Sequence, residues 1–239
     1  MDVLRTIRYT CFSVVYFLYL ERADIMKKGL IMDMDGVVVD SELVYVKKFM
    51  TWFKKQGIEM GMSDFEKIIG TPYAEAIDYF MEFWGDRTSR EEFAEMFAQL
   101  KDQVKFNYRD ILNPGVKELL TYCREKKIKT TLASGNSMDC IEKMLEECGL
   151  ESHFDFVISG EKLRRNKPHP DVYLKAMEYM DLEPEQCITL EDSRAGIRAS
   201  KGAGIFTVAK VPEEYCLPQE EADTKVKRVV DVIPMLKNA

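Results

Sequence analysis

Five short apolar segments alternate with amphipathic helical patterns along most of the chain, and this alternation restricts the fold more than any other feature. Each segment has four to six residues and is bounded by Gly, Asn, Asp or Pro, as buried strands usually are. Strands that are separated by helices form parallel sheets. The sequence therefore predicts an α/β fold. The predicted strands are Leu30–Met34, Ile128–Ala133, Phe156–Ser159, Ile188–Glu191 and Gly204–Val208.

A long stretch without a strand interrupts this alternation after the first predicted strand. Between residues 41 and 107, apolar side chains recur at the three- and four-residue spacing of helices. Two sequence pairs in this stretch, Ser63 with Glu66 and Ser89 with Glu92, have the spacing of capping boxes and predict helix starts. We therefore expect an all-helical insertion here.

Residues 1–25 differ in pattern from the rest of the chain. Their apolar run, Cys11–Leu20, follows two arginines as in a signal peptide, but no small-residue cleavage site comes after it. Its ten residues are also too few for a membrane-spanning helix, which needs ~20. We expect an extension or a mis-assigned start, without membrane attachment. The predicted division is an extension at residues 1–25, a core of residues 26–40 and 108–239, and a helical cap at residues 41–107.

The composition excludes several classes of function. With 46% hydrophobic residues and a formal net charge of −7, the chain can bury a core and is not expected to bind nucleic acid. Six cysteines without a CxxC pair, and only two histidines, do not fit a zinc cluster. Most of the cysteines lie in apolar helix and strand patterns, which favours reduced thiols. We expect a cytoplasmic protein that is a monomer.

Two carboxylates close the first predicted strand. Asp33 and Asp35 are two residues apart, so strand alternation places them on the same face, at the carboxyl end where ligands bind in open parallel sheets. Neighbouring carboxylates repel each other, so the pair implies a divalent metal, one carboxyl group with a raised pKa, or both. An ordinary Asp-Gly turn at Asp35 and Gly36 is the alternative.

Later strand ends and loops carry further polar groups, and each of them alone is a weak signal. Their joint order is much less expected by chance, and it describes a pocket for a phosphoryl group. Oxygen ligands from Asp33, Asp35 and Asp192 favour Mg²⁺ as the metal. The groups are a hydroxyl and backbone amides at Ser134, Gly135 and Asn136, a lysine at Lys167, and a carboxylate pair at Glu191 and Asp192.

Four motifs in this order, DMDGVVVDSE, LASGNS, KPHPD and LEDSRAGIRA, resemble those of the haloacid dehalogenase (HAD) superfamily. The similarity covers residues 28–235 and lies in the capped branch that includes β-phosphoglucomutase and phosphoglycolate phosphatase. It implies a Rossmann-like parallel-sheet core with a mobile, four-helix cap. It also implies that Asp33 is the nucleophile, which forms an aspartyl-phosphate, and that Asp35 is the general acid and base.

The resemblance implies the remaining roles as well. Mg²⁺ would be held by Asp33, by the backbone carbonyl of Asp35 and by Asp192, with Glu191 either a direct ligand or a residue behind the ligands. A dehalogenase needs no acid two residues after its nucleophile, so Asp35 argues for phosphoryl transfer. The phosphate group would be bound by Ser134, Gly135, Asn136 and Lys167.

The cap decides between hydrolysis and transfer. Mutases of this branch usually carry a histidine and an arginine at places where this chain has Tyr45 and Tyr73. Both tyrosines and Lys101 are candidate substrate contacts. The absence of those cations favours a Mg²⁺-dependent phosphatase that acts on a small phosphorylated metabolite, chiefly a sugar phosphate. A β-phosphoglucomutase-like mutase and a phosphate-responsive regulatory domain are the alternatives.

Overall fold

Residues 26–71 and 73–237 are described by the computed structural model, and their centre is a six-stranded parallel sheet. The strand order is β3-β2-β1-β4-β5-β6. The predicted α/β fold is confirmed, although β5 begins two residues later than expected and the short β6 has no apolar run that would predict it. The strands are β1 (Gly29–Met32), β2 (Lys129–Ser134), β3 (Phe156–Ser159), β4 (Cys187–Glu191), β5 (Phe206–Lys210) and β6 (Thr224–Val226).

Helices cover both faces of the sheet and fill the interval between β1 and β2. In that interval the described residues form five α-helices, four of which lie in the predicted insertion, and no strand of the sheet, as the sequence predicts. The helices of the insertion are α1 (Ser41–Lys55), α2 (Met62–Phe65), α3 (Tyr73–Trp84) and α4 (Arg90–Asp102). The others are α5 (Val116–Glu125), α6 (Met138–Cys148), α7 (Asp171–Met180), α8 (Arg194–Gly202) and α9 (Ile233–Lys237).

Side-chain alternation along β1 divides the core into two layers. Leu30 and Met32 pack into the cluster formed with α5, α6 and α9, whereas Ile31 packs on the opposite face with residues of α7 and α8. All four residues of β1 are buried, as expected for a central strand of a parallel sheet. The sheet therefore fixes the direction of β1 and of the loop that follows it.

The insertion has an aromatic core of its own. Phe80 is fully buried, with its ring centroid 5.0 Å from that of Phe53 and 4.9 Å from that of Phe97. The rings of Trp52 and Trp84 stack at 5.3 Å. This cluster is separate from the two layers on the sheet, so the insertion buries its apolar surface internally. The boundaries at residues 41 and 107 stay a prediction.

One of the two predicted capping boxes is present and the other is wrong. The Ser89 hydroxyl accepts from the backbone N–H of Glu92 at 3.2 Å, and the Ser89 N–H donates to the Glu92 carboxylate at 2.9 Å. The helix near Ser63 begins at Met62, two residues earlier than a cap at Ser63 predicts, because Gly61 is the cap and its N–H donates to Asp64. The competing acceptor at Asp64, two residues before the predicted Glu66, explains the error.

β1 and β4 are neighbours in the sheet. From β1 the chain adds β2 and β3 on one side, and it then adds β4, β5 and β6 on the other side, so the strand order reverses direction between β1 and β4. In open parallel sheets, ligands bind in the crevice outside the carboxyl ends of the strands at such a point. The acidic residues that follow β1 and β4 therefore meet where the fold favours a ligand.

Some sequence predictions concern residues outside the described ranges, among them the whole extension at residues 1–25. Within those ranges, Cys123, Cys140, Cys148, Cys187 and Cys216 are free thiols. Among the described helices, none combines the length and the apolar character required to cross a bilayer.

The aromatic core of the insertion should dominate its stability. Phe80→Ala removes a fully buried ring, so the free energy of unfolding, measured by urea denaturation, should fall by about 3–5 kcal/mol. Phe206 is 38% exposed, and Phe206→Ala should cost less than about half of that. Equal losses from the two substitutions would contradict this packing.

Candidate active site

A buried lysine connects the ends of three strands. Lys167 lies in the loop before α7, and its Nζ donates to Asp33 Oδ1 at 2.7 Å and to Glu191 Oε1 at 2.7 Å. The same ammonium lies 3.3 Å from the carbonyl oxygen of Ala133 on β2. The side chains of Lys167 and Asp33 are only 11% and 10% exposed, and that of Glu191 is fully buried. The ammonium therefore fixes both carboxylates at the centre of the sheet edge.

The Glu191 carboxylate is anchored through both oxygens. Oε1 accepts from Lys167 and from the hydroxyl of Tyr173, which lies 2.8 Å away. Oε2 accepts from the backbone N–H groups of Asp192 and Ser193 at 2.8 and 2.9 Å, and from the Ser193 hydroxyl. Five donors on one carboxylate favour an orienting role for Glu191 over a direct contact with a metal.

Three carboxylates form a candidate metal centre. Asp33, Glu191 and Asp192 each place one oxygen within 4.8 Å of the other two. Oxygen ligands suit a hard cation such as Mg²⁺. The side chains of this cluster carry three negative charges when ionised, whereas Lys167 supplies one positive charge, so the donor set fits a divalent cation.

Burial and mutual repulsion weaken the ionisation of this cluster. Burial raises the pKa of Asp33 to about 7, although Lys167 opposes the shift. Burial, followed by the charges of Glu191 and Asp33, also raises the pKa of Asp192 well above its usual range. Burial disfavours the charge of Glu191 too, but Lys167, together with the hydrogen bonds from Tyr173 and the Ser193 backbone, outweighs burial and lowers the pKa of Glu191. Compensation by Lys167 is therefore incomplete, and a divalent cation would provide the rest.

Asp35 is held apart from this cluster. Its Oδ1 accepts from the Ser41 hydroxyl, and its Oδ2 accepts from the side-chain amide of Asn136 at 2.5 Å. The half-buried Asp35 also lines a cavity above the sheet edge. Its carboxylate therefore faces the cavity apart from the acidic cluster, where a carboxyl group can exchange a proton with a bound molecule.

The turn for which the sequence predicts anion binding lies at the end of β2. Ser134 is 1% exposed, and its hydroxyl oxygen accepts from the backbone N–H of Asn136 at 3.1 Å. Gly135 and Asn136 line the cavity, whereas Ser134 lies behind them. The three residues are thus in one turn, but only two of them face the cavity directly.

A cavity of about 840 Å³ lies between the sheet edge and the insertion. The core side contributes Asp35 and Lys167, and the insertion contributes the three predicted residues Tyr45, Tyr73 and Lys101. Two cationic side chains, Lys101 and Lys167, are present among the lining residues that the structure describes. The remaining walls combine apolar and aromatic side chains, mostly from the insertion, with polar ones that include the acids Glu42 and Asp102.

The three predicted residues of the insertion differ in their surroundings. The Tyr73 hydroxyl donates to the carbonyl of Ala94 at 2.9 Å, so a bond within the insertion already uses its proton. Lys101 Nζ lies 5.7 Å from the centre of the Tyr45 ring. The structure therefore brings the three residues to the same cavity, where Lys101 is the described cationic side chain on the insertion side.

Sequence reasoning missed three residues of this site. Glu42 lines the cavity, and burial together with the charge of Asp35 raises its pKa to about 7. The sequence offered a signal for Glu42 and Ser41, because both belong to the motif that begins at Asp33. Tyr173 gave no such signal, because it looks like an ordinary apolar residue of α7 until the Glu191 contact is known.

Comparisons with known proteins find sequences and structures that are similar to most of this chain. A family model described as "Haloacid dehalogenase-like hydrolase" matches residues 30–210. A "Phosphorylated carbohydrates phosphatase" of Thermotoga maritima is 31% identical over 74% of this chain and 82% of its own. A "Hexitol phosphatase B" of Escherichia coli K12 is 30% identical over 84% and 92%. A crystal structure of β-phosphoglucomutase from Clostridium difficile is 25% identical, has a TM-score of 0.66, and is matched over 89% of this chain and 97% of its own.

The Tyr173 hydroxyl should stabilise the fold through Glu191. Tyr173→Phe removes a fully buried donor to a charged acceptor, so urea denaturation should show a loss of about 1–3 kcal/mol. Tyr179 lies on the same helix but is 47% exposed, and Tyr179→Phe should change the stability by less than about 0.5 kcal/mol. Similar values for the two variants would argue against the buried network.

The acidic cluster should make stability depend on pH when no divalent cation is present. The folded pKa of Asp33 is about 7 against an ordinary value of 3.8, so its contribution is largest below 3.8 and is lost as the pH rises to about 7 and above. In EDTA, urea denaturation at pH 5 and pH 8 should show a larger loss with pH for the wild type than for Asp33→Asn. An identical pH dependence of stability in both proteins would contradict a raised pKa for Asp33.

Proposed function

Because the chain belongs to the haloacid dehalogenase-like hydrolase family, we propose that it is a Mg²⁺-dependent phosphatase acting on a small phosphorylated sugar or sugar alcohol. The observation that carries this proposal is that the two aspartates after β1 lie in different environments. Asp33 lies in the buried cluster with Lys167, whereas Asp35 faces the cavity. A nucleophile beside a separate acid and base is the arrangement that two-step ester hydrolysis needs.

Asp33 is the proposed nucleophile. Lys167 holds its Oδ1, and within the described ranges Oδ2 accepts no hydrogen bond from the chain. One carboxylate oxygen is thus oriented by an ammonium while the other stays available to attack phosphorus. The attack forms an aspartyl-phosphate and breaks the bond between phosphorus and the ester oxygen of the substrate.

Asp35 is the proposed acid and base. In its protonated form it gives a proton to the departing ester oxygen, and as a carboxylate it then takes a proton from the water that attacks the aspartyl-phosphate. This second step releases inorganic phosphate and regenerates Asp33. The bonds from Ser41 and Asn136 support this role, because they hold both oxygens of Asp35 at the cavity wall.

Asp33, Asp192 and the backbone carbonyl of Asp35 are the proposed ligands of Mg²⁺, and Glu191 orients Lys167 and Asp192 behind them. When bound, Mg²⁺ supplies positive charge that lets an anionic phosphate approach carboxylates. The proposed phosphate contacts are Lys167, the Ser134 hydroxyl, and the amides of the turn at Gly135 and Asn136.

The cavity supports a small substrate with one phosphate group. Its volume, about 840 Å³, is in the range of small-molecule sites. Lys167 faces the phosphate position, which leaves Lys101 as the described lining cation available on the insertion side. Glu42 and Tyr45 provide acceptors for sugar hydroxyls. The names of the two relatives, a phosphatase of phosphorylated carbohydrates and a hexitol phosphatase, support the same substrate class.

Transfer of a phosphate group from one position of a sugar to another is the second candidate reaction, because the β-phosphoglucomutase structure shares this fold. A mutase must hold a second phosphate group while the sugar turns around. The two tyrosines of the insertion, Tyr45 and Tyr73, carry no positive charge for it, so Lys101 is the single described lining cation on that side. Hydrolysis is therefore the favoured reaction. We also propose that residues 41–107 act as the cap over the site, and a monomeric state and a cytoplasmic location stay predictions.

The nucleophile can be tested by phosphate release. With Mg²⁺ and a panel of hexose and hexitol monophosphates, the wild type should release inorganic phosphate, and Asp33→Asn should lower kcat on the order of 10³-fold or more. The matched control is Asp86→Asn, which makes the same change at an exposed position and should keep full activity. Activity in Asp33→Asn, with thermal unfolding unchanged, would exclude Asp33 as nucleophile.

Hydrolase and mutase give different products from the same incubation. With glucose 1-phosphate and a sugar bisphosphate primer, we expect release of phosphate and little glucose 6-phosphate, measured by a coupled dehydrogenase assay. Rapid isomerisation with little phosphate release would favour the mutase instead.

A further inference from the structure

A buried glutamine lies behind the proposed cation site. Gln219 belongs to the loop between β5 and β6 and is only 2% exposed. Its side-chain Nε2 donates to the carbonyl oxygen of Asp192 at 2.7 Å and to that of Lys210 at 2.8 Å. Both hydrogens of one amide are thus used inside the protein, one of them on a residue of the acidic cluster.

These two bonds join adjacent strands where their own pairing stops. The last paired residues of β4 and β5 are Glu191 and Ala209, and the next residue of each strand is Asp192 and Lys210 respectively. Gln219 therefore continues the connection between the strands by one step. Without it, two backbone carbonyls next to the acidic cluster would lose a buried donor.

Asp192 has little freedom on its other side. A Cβ atom added to Gly36 would lie 1.9 Å from Asp192 Oδ2, so the carboxylate packs directly against the loop that follows β1. Glu191 accepts from the backbone N–H of Asp192 at 2.8 Å. Side chains thus hold both the N–H and the carbonyl of this residue, Glu191 from one side and Gln219 from the other.

From these contacts we infer that Gln219 is a positioning residue for the cation site: its amide holds the Asp192 backbone so that the carboxylate stays aligned with Asp33. The inference rests on the proposed cation-dependent reaction, and it adds a residue from a loop outside the four sequence motifs. Groups that orient metal ligands commonly change metal affinity by about 10-fold to 100-fold when they are removed.

The loop that carries Gln219 also contacts the insertion. Glu214 forms an ion pair with Lys47 of α1 at 3.0 Å, and the backbone N–H of Cys216 donates to Glu66 at 2.8 Å. These contacts lie on the surface, whereas the Gln219 bonds are buried. The same loop can therefore be substituted at two places, at Gln219 beside the cation site and at Glu214 in its contact with the insertion.

The test compares Mg²⁺ binding in two variants of this loop. Gln219→Met keeps an unbranched side chain of similar length and removes both donors, so the Kd for Mg²⁺ in isothermal titration calorimetry should rise by about 10-fold or more. At saturating Mg²⁺, the substrate KM should stay within about twofold of the wild type, because no phosphate contact is lost. Glu214→Gln, the control, should leave the Kd for Mg²⁺ unchanged.

A folded Gln219→Met variant with a lower thermal midpoint but an unchanged Kd for Mg²⁺ would overturn the inference and leave Gln219 a purely structural role. If that variant does not fold, Gln219→Asn, which keeps a neutral amide but withdraws it from both carbonyls by one methylene group, is measured in its place with the same criterion. Failure of the wild type itself to bind Mg²⁺ would overturn the proposed cation site, and the positioning role with it. Retained binding in wild type and variant alike would contradict the positioning role alone.

Discussion

The site depends on the ion pairs that the Lys167 ammonium forms with Asp33 and Glu191. Its positive charge makes the burial of both carboxylates possible. Buried carboxylates are costly unless they are paired. Here one lysine serves two of them, and a third, Asp192, lies within the same cluster. The raised pKa values of Asp33 and Asp192 express the charge that remains uncompensated. The demand for a further cation thus follows from the arrangement of the protein's own charges.

The sheet makes this concentration of charge possible. Asp33 and Lys167 are 134 positions apart in sequence, yet their side chains meet because β1 and β2 are neighbours and the Lys167 loop comes back over their carboxyl ends. Parallel strands place all their following loops at one edge, where the order reverses between β1 and β4. The insertion faces that edge across the cavity. In the proposed function, chemistry and substrate selection are therefore carried by different parts of the chain.

Strand ends were the part of the site that sequence reasoning could predict. Asp33 and Asp35 follow a predicted buried strand, and the motif order adds Ser134, Lys167 and Asp192. The strand ends at Met32, so strand alternation does not set the directions of the two aspartates, which lie in different surroundings. Contacts that depend on tertiary packing could not be found in this way. Tyr173 and Gln219 act through single hydrogen bonds to Glu191 and to the Asp192 carbonyl, and nothing in the local sequence marks them. The capping box at Ser63 was predicted wrongly because a competing acceptor, Asp64, lies nearby. The strand β6 was missed because it is short and has no apolar run.

The central claim is that Asp33 carries the phosphoryl group between the two steps, while Asp35 activates water for the second. The most direct measurement is mass spectrometry of acid-quenched protein, using Asp35→Asn mixed with Mg²⁺ and an aryl phosphate whose good leaving group needs no proton. The account predicts that a phosphoryl group accumulates on the peptide containing Asp33, because water is no longer activated. Phosphate release without any phosphorylated peptide, or a phosphoryl group on another residue, would contradict it.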